Sequence, residues 1–97
     1  MKRIDFYSMM FVKGGGVRAV LHHGYTDGVF NYYNNGGCWC AIHKENGYSV
    51  LTETTRKAAA EKATAPDMLQ RVNDYLTTRK EELKNKFEEA KKAAMEV

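Results

Sequence analysis

The chain changes character at Leu51. Residues 1–51 hold all eight glycines, nine of the eleven aromatic side chains, both cysteines and all three histidines, with eight charged side chains; residues 52–97 hold nineteen charges and no glycine. Aromatic and β-branched residues punctuated by glycine favour short strands and tight turns, whereas Ala, Glu, Lys and Arg without a breaker favour helix. The expectation is an α+β fold in one domain, residues 1–97: an antiparallel meander of four to five strands in residues 1–51, then a short helix and a long C-terminal helix in residues 52–97. No apolar run is long enough to cross a bilayer as a helix, and no signal-peptide pattern is present.

Alternation places the strands. Ile4, Phe6, Ser8, Met10 and Val12 share one face of a first strand, and Tyr7, Met9 and Phe11 share the other. Gly14-Gly15-Gly16 ends it. Val17, Ala19, Leu21 and His23 then line one face of a second strand, with Arg18, Val20 and His22 opposite. Asp27-Gly28 and Asn34-Asn35-Gly36-Gly37 carry hairpin signals, because Asn and Gly tolerate the positive φ of such turns. They bracket a third strand at 29–33 and introduce a fourth, Cys38 to His43. Glu45-Asn46-Gly47 turns that strand into a fifth, Tyr48 to Leu51.

A threonine among Thr52, Thr54 and Thr55 is expected to cap the first helix, over about 56–63. Thr64-Ala65-Pro66-Asp67 reads as a second start, with Thr64 as cap and Pro66 where a missing N–H costs nothing. From Pro66 to about Met95 nothing breaks the pattern, which predicts a rod of about 45 Å at 1.5 Å per residue. Met68, Leu69, Val72, Tyr75 and Leu76 form its dense apolar stripe, so the first half is expected to pack on the sheet. The second half, with the sparser Leu83, Phe87, Ala90 and Ala94, is expected to project. Leu69, Leu76 and Leu83, seven apart, would offer a seam for a homodimer through the C-terminal helix.

The run Cys38-Trp39-Cys40-Ala41-Ile42-His43 supplies two thiols and an imidazole, and His22 or His23 could add a fourth ligand for a structural zinc. Four protein ligands would leave no open position for an activated water. The competing reading makes Cys38 and Cys40 small hydrophobes and the histidines surface residues, since regular strands hold Cys38 about 16 Å from the His43 end. The two cysteines are too close in sequence for an unstrained disulfide, which favours a reducing compartment. A catalytic thiol lacks the positive surroundings that depress its pKa, and the glycine triplet lacks the Lys and Ser/Thr of a phosphate loop. A net charge of +3 is too mild to signal a nucleic-acid binder by itself.

Binding fits these residues better than catalysis. Tyr25, Phe30, Tyr32, Tyr33, Trp39 and Tyr48 are too many rings for one thin core, and Tyr25, Tyr32, Tyr33 and Tyr48 are the expected contacts for a partner. Protein ranks ahead of nucleic acid as that partner because basic residues are few on the strands. A membrane is not expected as a partner.

The run from Gly28 to Tyr33, then Trp39 to His43, Gly47 to Val50 and Thr54 to Ala59, resembles small accessory proteins of phages and mobile elements, in which a tryptophan-bearing hairpin leads into a threonine-capped helix. In size and style the chain is similar to anti-CRISPR proteins, inhibitors of the RNA-guided nuclease of type II systems. That resemblance spans roughly residues 28–63. It implies a non-enzymatic inhibitor in the cytoplasm of a bacterial host cell, bound to a CRISPR effector nuclease and blocking DNA loading or conformational change. A nucleic-acid-binding accessory or regulatory protein is the alternative.

Overall fold

The computed structural model describes residues 1–14, 16–44 and 47–95, with the side chains of Leu76 and Lys80 set aside. Five strands precede two helices: β1 (Lys2–Phe11), β2 (Val17–Thr26), β3 (Phe30–Asn35), β4 (Cys38–His43), β5 (Ser49–Glu53), α1 (Arg56–Ala63) and α2 (Pro66–Met95). The strands form one sheet in the order β1-β2-β3-β4-β5, each antiparallel to its neighbour. The α+β meander expected from the glycine and aromatic pattern is therefore the fold. Turn glycines at Gly14, Gly28, Gly36 and Gly37 take positive φ, as the turn signals require. Glu45 and Asn46, the first two residues of the expected β4–β5 turn, lie outside the described residues, as does Gly15.

The sheet is not flat. β1 and β2 pair along their whole length, Lys2 opposite Thr26 through Phe11 opposite Val17. β2 meets β3 only at Tyr25 opposite Tyr32 and Thr26 opposite Asn31. Gly24 marks the departure: a Cβ there would lie 2.0 Å from the Tyr32 carbonyl oxygen, so only glycine allows the two backbones to come this close. Beyond it the β1–β2 hairpin swings away from β3 as an arm. The outer edge of β1 meets the β4–β5 connection instead, where the Met9 amide donates to the Gly47 carbonyl at 2.8 Å. Phe6 of β1 consequently packs with Cys40 and Ile42 of β4. Those strands would be about 14 Å apart in a flat sheet, at roughly 4.8 Å per strand, so contact requires the sheet to curl.

Helices cover the outside of the curl. Thr55 caps α1 by accepting from the Ala58 amide at 3.1 Å, as expected of a threonine there. Ala59 and Ala63 then pack on Phe30, Tyr32 and Ala41. Thr64 differs from expectation. Its hydroxyl donates back to the Ala60 carbonyl at 2.7 Å and its amide to the same oxygen, so it closes α1 rather than opening α2. The first bond of α2 runs from the Leu69 amide to the Ala65 carbonyl.

The long helix also departs from a straight rod. Arg79 has φ −121° and ψ 17°, a break in helical geometry. A straight helix of 30 residues would span about 45 Å; the longest dimension of the whole molecule is 33 Å. The Thr78 hydroxyl donates to the Asp74 carbonyl at 3.2 Å, a contact that bends helices. The Arg79 guanidinium bridges the break, donating to the Tyr75 hydroxyl at 3.0 Å and to Glu82 at 3.2 and 3.4 Å. Those bonds, with one from Lys86, hold the Glu82 carboxyl at about 2, well below the usual carboxylate range.

The bend reverses the expected roles of the two halves. Leu83 is 0% exposed and Phe87 nearly so, packed with Met9, Tyr7 and Val17 of the arm, whereas Leu69 is 38% exposed. The denser apolar stripe is thus the less buried one. The sparse stripe wins because Leu83 and Phe87 meet Met9 and the Gly47 turn, where a Cβ would lie 2.5 Å from the Phe87 ring. Leu83 is consequently not available to a dimer seam with Leu69, and the bend at Arg79 interrupts that seam. Leu76 lies outside the described side chains.

Candidate functional site

The five expected metal ligands are scattered through the fold. Cys38 is exposed at the start of β4, while Cys40 is buried inside the curl, its sulfur 3.7 Å from the Thr52 hydroxyl. His43 is an odd number of residues from both, so strand alternation sends it to the outer face, edge-on to Phe30 with ring centroids 5.8 Å apart. His22 and His23 are adjacent and therefore diverge in the same way. The His22 ring stacks on Tyr33 at 3.7 Å, with Nε2 2.7 Å from the Ser8 hydroxyl oxygen. His23 pairs with Asp5 at 2.6 Å on the surface. Among the described residues no group of three or more His, Cys, Asp or Glu side chains comes together as a metal site. The zinc arrangement expected from Cys38, Cys40, His43 and His22 or His23 is not assembled by this geometry.

The four tyrosines expected to face a partner have different fates. Tyr32 is 0% exposed, set under α1, and its hydroxyl donates to Asp27 at 2.6 Å. Burial, with the Asp27 carboxylate beside it, pushes that phenol well above its ordinary pKa. Asp27 also accepts from the Val29 and Phe30 amides, so Tyr32 locks the β2–β3 turn rather than offering a contact. Tyr33 is half-buried in the curl against His22 and Phe6. Burial and the neighbouring Cys40 push it up to about 12. Burial also lowers the His22 pKa, with His23 adding to the effect, which favours a neutral imidazole in the stack. Tyr25 is half-covered by Arg56, whose guanidinium carbon lies 4.1 Å from its ring centroid and 5.9 Å from that of Trp39. Tyr48 leans on Tyr75 of α2, ring centroids 5.5 Å apart.

Exposed apolar side chains occur on the arm (Met10, Phe11 and Leu21) and also at Met1, Val29, Leu69, Tyr75 and Met95. Met10 is 48% and Phe11 54% exposed near the arm's tip. They sit on opposite faces of β1, with Arg18 opposite Met10 and Val17 opposite Phe11. Lys13 and Arg18 are exposed beside them, and no acidic residue occurs between Asp5 and Asp27. Alternation alone would let a strand with apolar residues on both faces, Met10 on one and Phe11 on the other, be covered on both sides. The missed signal was length: ten-residue strands paired to each other outrun the six-residue β3, so their far end loses its neighbour on one side.

No protein-family model matches this chain, and searches of curated proteins and of solved structures gave no significant match.

Proposed function

We propose that this chain is a non-enzymatic binding protein that inhibits its partner by steric occupation, the partner being the RNA-guided nuclease of a type II CRISPR system. One observation carries the binding reading: Met10 and Phe11 stand half-exposed at the tip of an arm that leaves the sheet at Gly24. Large exposed apolar side chains near the end of the hairpin, with the exposed Lys13 and Arg18 close in sequence, have the composition of an interface anchor with a polar rim. A standard interface of about 800 Å² per partner would occupy roughly an eighth of the 6347 Å² surface, so the arm supplies anchors and adjoining surface the rest. The choice of nuclease rests on the resemblance of residues 28–63 to anti-CRISPR proteins. A basic arm suits an acidic or apolar cleft on the enzyme better than its positively charged nucleic-acid channel.

A pull-down on the guide-loaded nuclease, beside a gel shift on single- and double-stranded DNA, tests the proposal. Retention by the nuclease and none by DNA is the expected result. The acid-free stretch with Lys13 and Arg18 also favours a second reading, a nucleic-acid-binding accessory protein. Salt-sensitive retention on DNA alone would establish that reading and overturn the first.

A further inference from the structure

A groove of about 480 Å³ opens between the first half of α2 and the start of β5, lined by Tyr48, Val50, Met68, Arg71, Val72, Asp74 and Tyr75. That volume lies in the range of small-molecule sites, which are mostly apolar with a few fixed polar groups. Val50, Met68 and Val72 give an apolar lining. Tyr48 and Tyr75 meet at an interplanar angle of 42°, their hydroxyls bonded to each other, and Arg79 holds Tyr75 from the far side of the bend. The helix break at Arg79 therefore helps fix the aromatic wall.

Two opposite charges lie on the α2 wall. Arg71 and Asp74, at i and i+3, have Cβ atoms about 5–6 Å apart. Among the described residues Arg71 forms no ion pair, and Asp74 forms none either; its Oδ1 accepts from the neutral Gln70 amide at 3.0 Å. A cation and an anion side by side, unpaired and above an apolar lining, match a ligand carrying both charges at one end and a bulky apolar group at the other. We propose that this groove binds a zwitterionic α-amino acid with a large apolar side chain, its carboxylate on Arg71, its ammonium on Asp74 and its side chain against Tyr48, Val72 and Tyr75. The site does not include the exposed Met10 and Phe11 and does not depend on the partner proposed above.

Amide chemical-shift titrations with L-tryptophan, tryptamine and indole-3-propionate test this, since the last two lack the carboxylate and the ammonium respectively. For tryptophan we expect saturable shifts confined to residues 47–51 and 67–76, with binding on the order of 0.1–1 mM and each analogue at least tenfold weaker. Arg71→Gln should abolish the preference over tryptamine, and Asp74→Asn the preference over indole-3-propionate. Both residues are exposed, so the melting temperature of each variant should match the parent's. Met68→Trp, which fills the groove from a position outside the packed cluster of Met9, Leu83 and Phe87, should remove binding while the spectrum elsewhere stays native. Absent or scattered shifts, equal affinity for all three probes, or unchanged preferences in the charge variants would overturn the proposal.

Discussion

Truncating Leu83 to alanine should cost this protein far more than truncating Leu69, although Leu69 belongs to the denser apolar stripe. Leu83 is fully buried against Met9 and Phe87, and Leu69 is more than a third exposed. The change at Leu83 removes three carbons from a closed site, about 2.4 kcal/mol of transfer free energy at roughly 0.8 kcal/mol each. The cavity left behind adds about 1 kcal/mol, for a total near 3–4 kcal/mol. At Leu69 much of the side chain is already in water, and about 1 kcal/mol or less is expected. For 97 residues the unfolding entropy is roughly 0.2 kcal/mol per degree, so Leu83→Ala should lower Tm by about 15 °C and Leu69→Ala by 5 °C or less. Urea unfolding followed by circular dichroism and by Trp39 fluorescence measures both. Equal losses, or a larger loss at Leu69, would refute the bent-helix packing and restore a straight rod with a free C-terminal end.

Other consequences follow from the same contacts. Gly24→Ala drives a Cβ into the Tyr32 carbonyl oxygen at 2.0 Å, so β2 and β3 must separate; a loss of about 2–4 kcal/mol is expected in urea unfolding, against about 1–2 for Gly36→Ala, whose cost comes from its positive φ alone. His22 is held below its ordinary pKa of 6.5, so the unfolded chain takes up its proton first. Its contribution is complete above pH 6.5 and falls as the pH drops toward the lowered folded value, a decline in urea midpoint that His22→Gln should blunt. Glu82 should titrate at about 2 by carbon-detected NMR, and Arg79→Ala should return it toward the ordinary carboxylate range; an unmoved value would contradict the bridge across the helix break.

Strand identity and order were legible because alternation and turn chemistry act over a few residues. The Asp27-Gly28 and Asn34 to Gly37 signals and the threonine cap at Thr55 all lie within one turn of what they specify. What the sequence concealed depends on contacts between distant segments. Gly24 is one glycine in a strand, and its meaning comes from Tyr32 eight residues later. Nothing near Leu83 announces burial; Met9 and Gly47 provide it. Three of the expected zinc ligands share a short stretch of sequence, yet odd spacings along a strand put Cys40 and His43 on opposite faces, and adjacency does the same to His22 and His23. Counting aromatics indicated that some ring must meet solvent or a partner. It could not show that Tyr32 would be sealed under α1 while Phe11 stood free at the arm's tip.

The proposed inhibition rests on the arm's exposed tip, Met10 and Phe11. Titrating the protein against a guide-loaded type II nuclease, with DNA cleavage as the readout, tests it most directly when the parent is compared with Met10→Ser/Phe11→Ser. Both positions are about half-exposed, so the double variant should keep the parent's fold and most of its stability. The parent is expected to protect DNA near one equivalent, and the double variant to need at least a hundredfold more. Cleavage unaffected by the parent at any ratio, or equal protection by both proteins, would contradict the proposed inhibition.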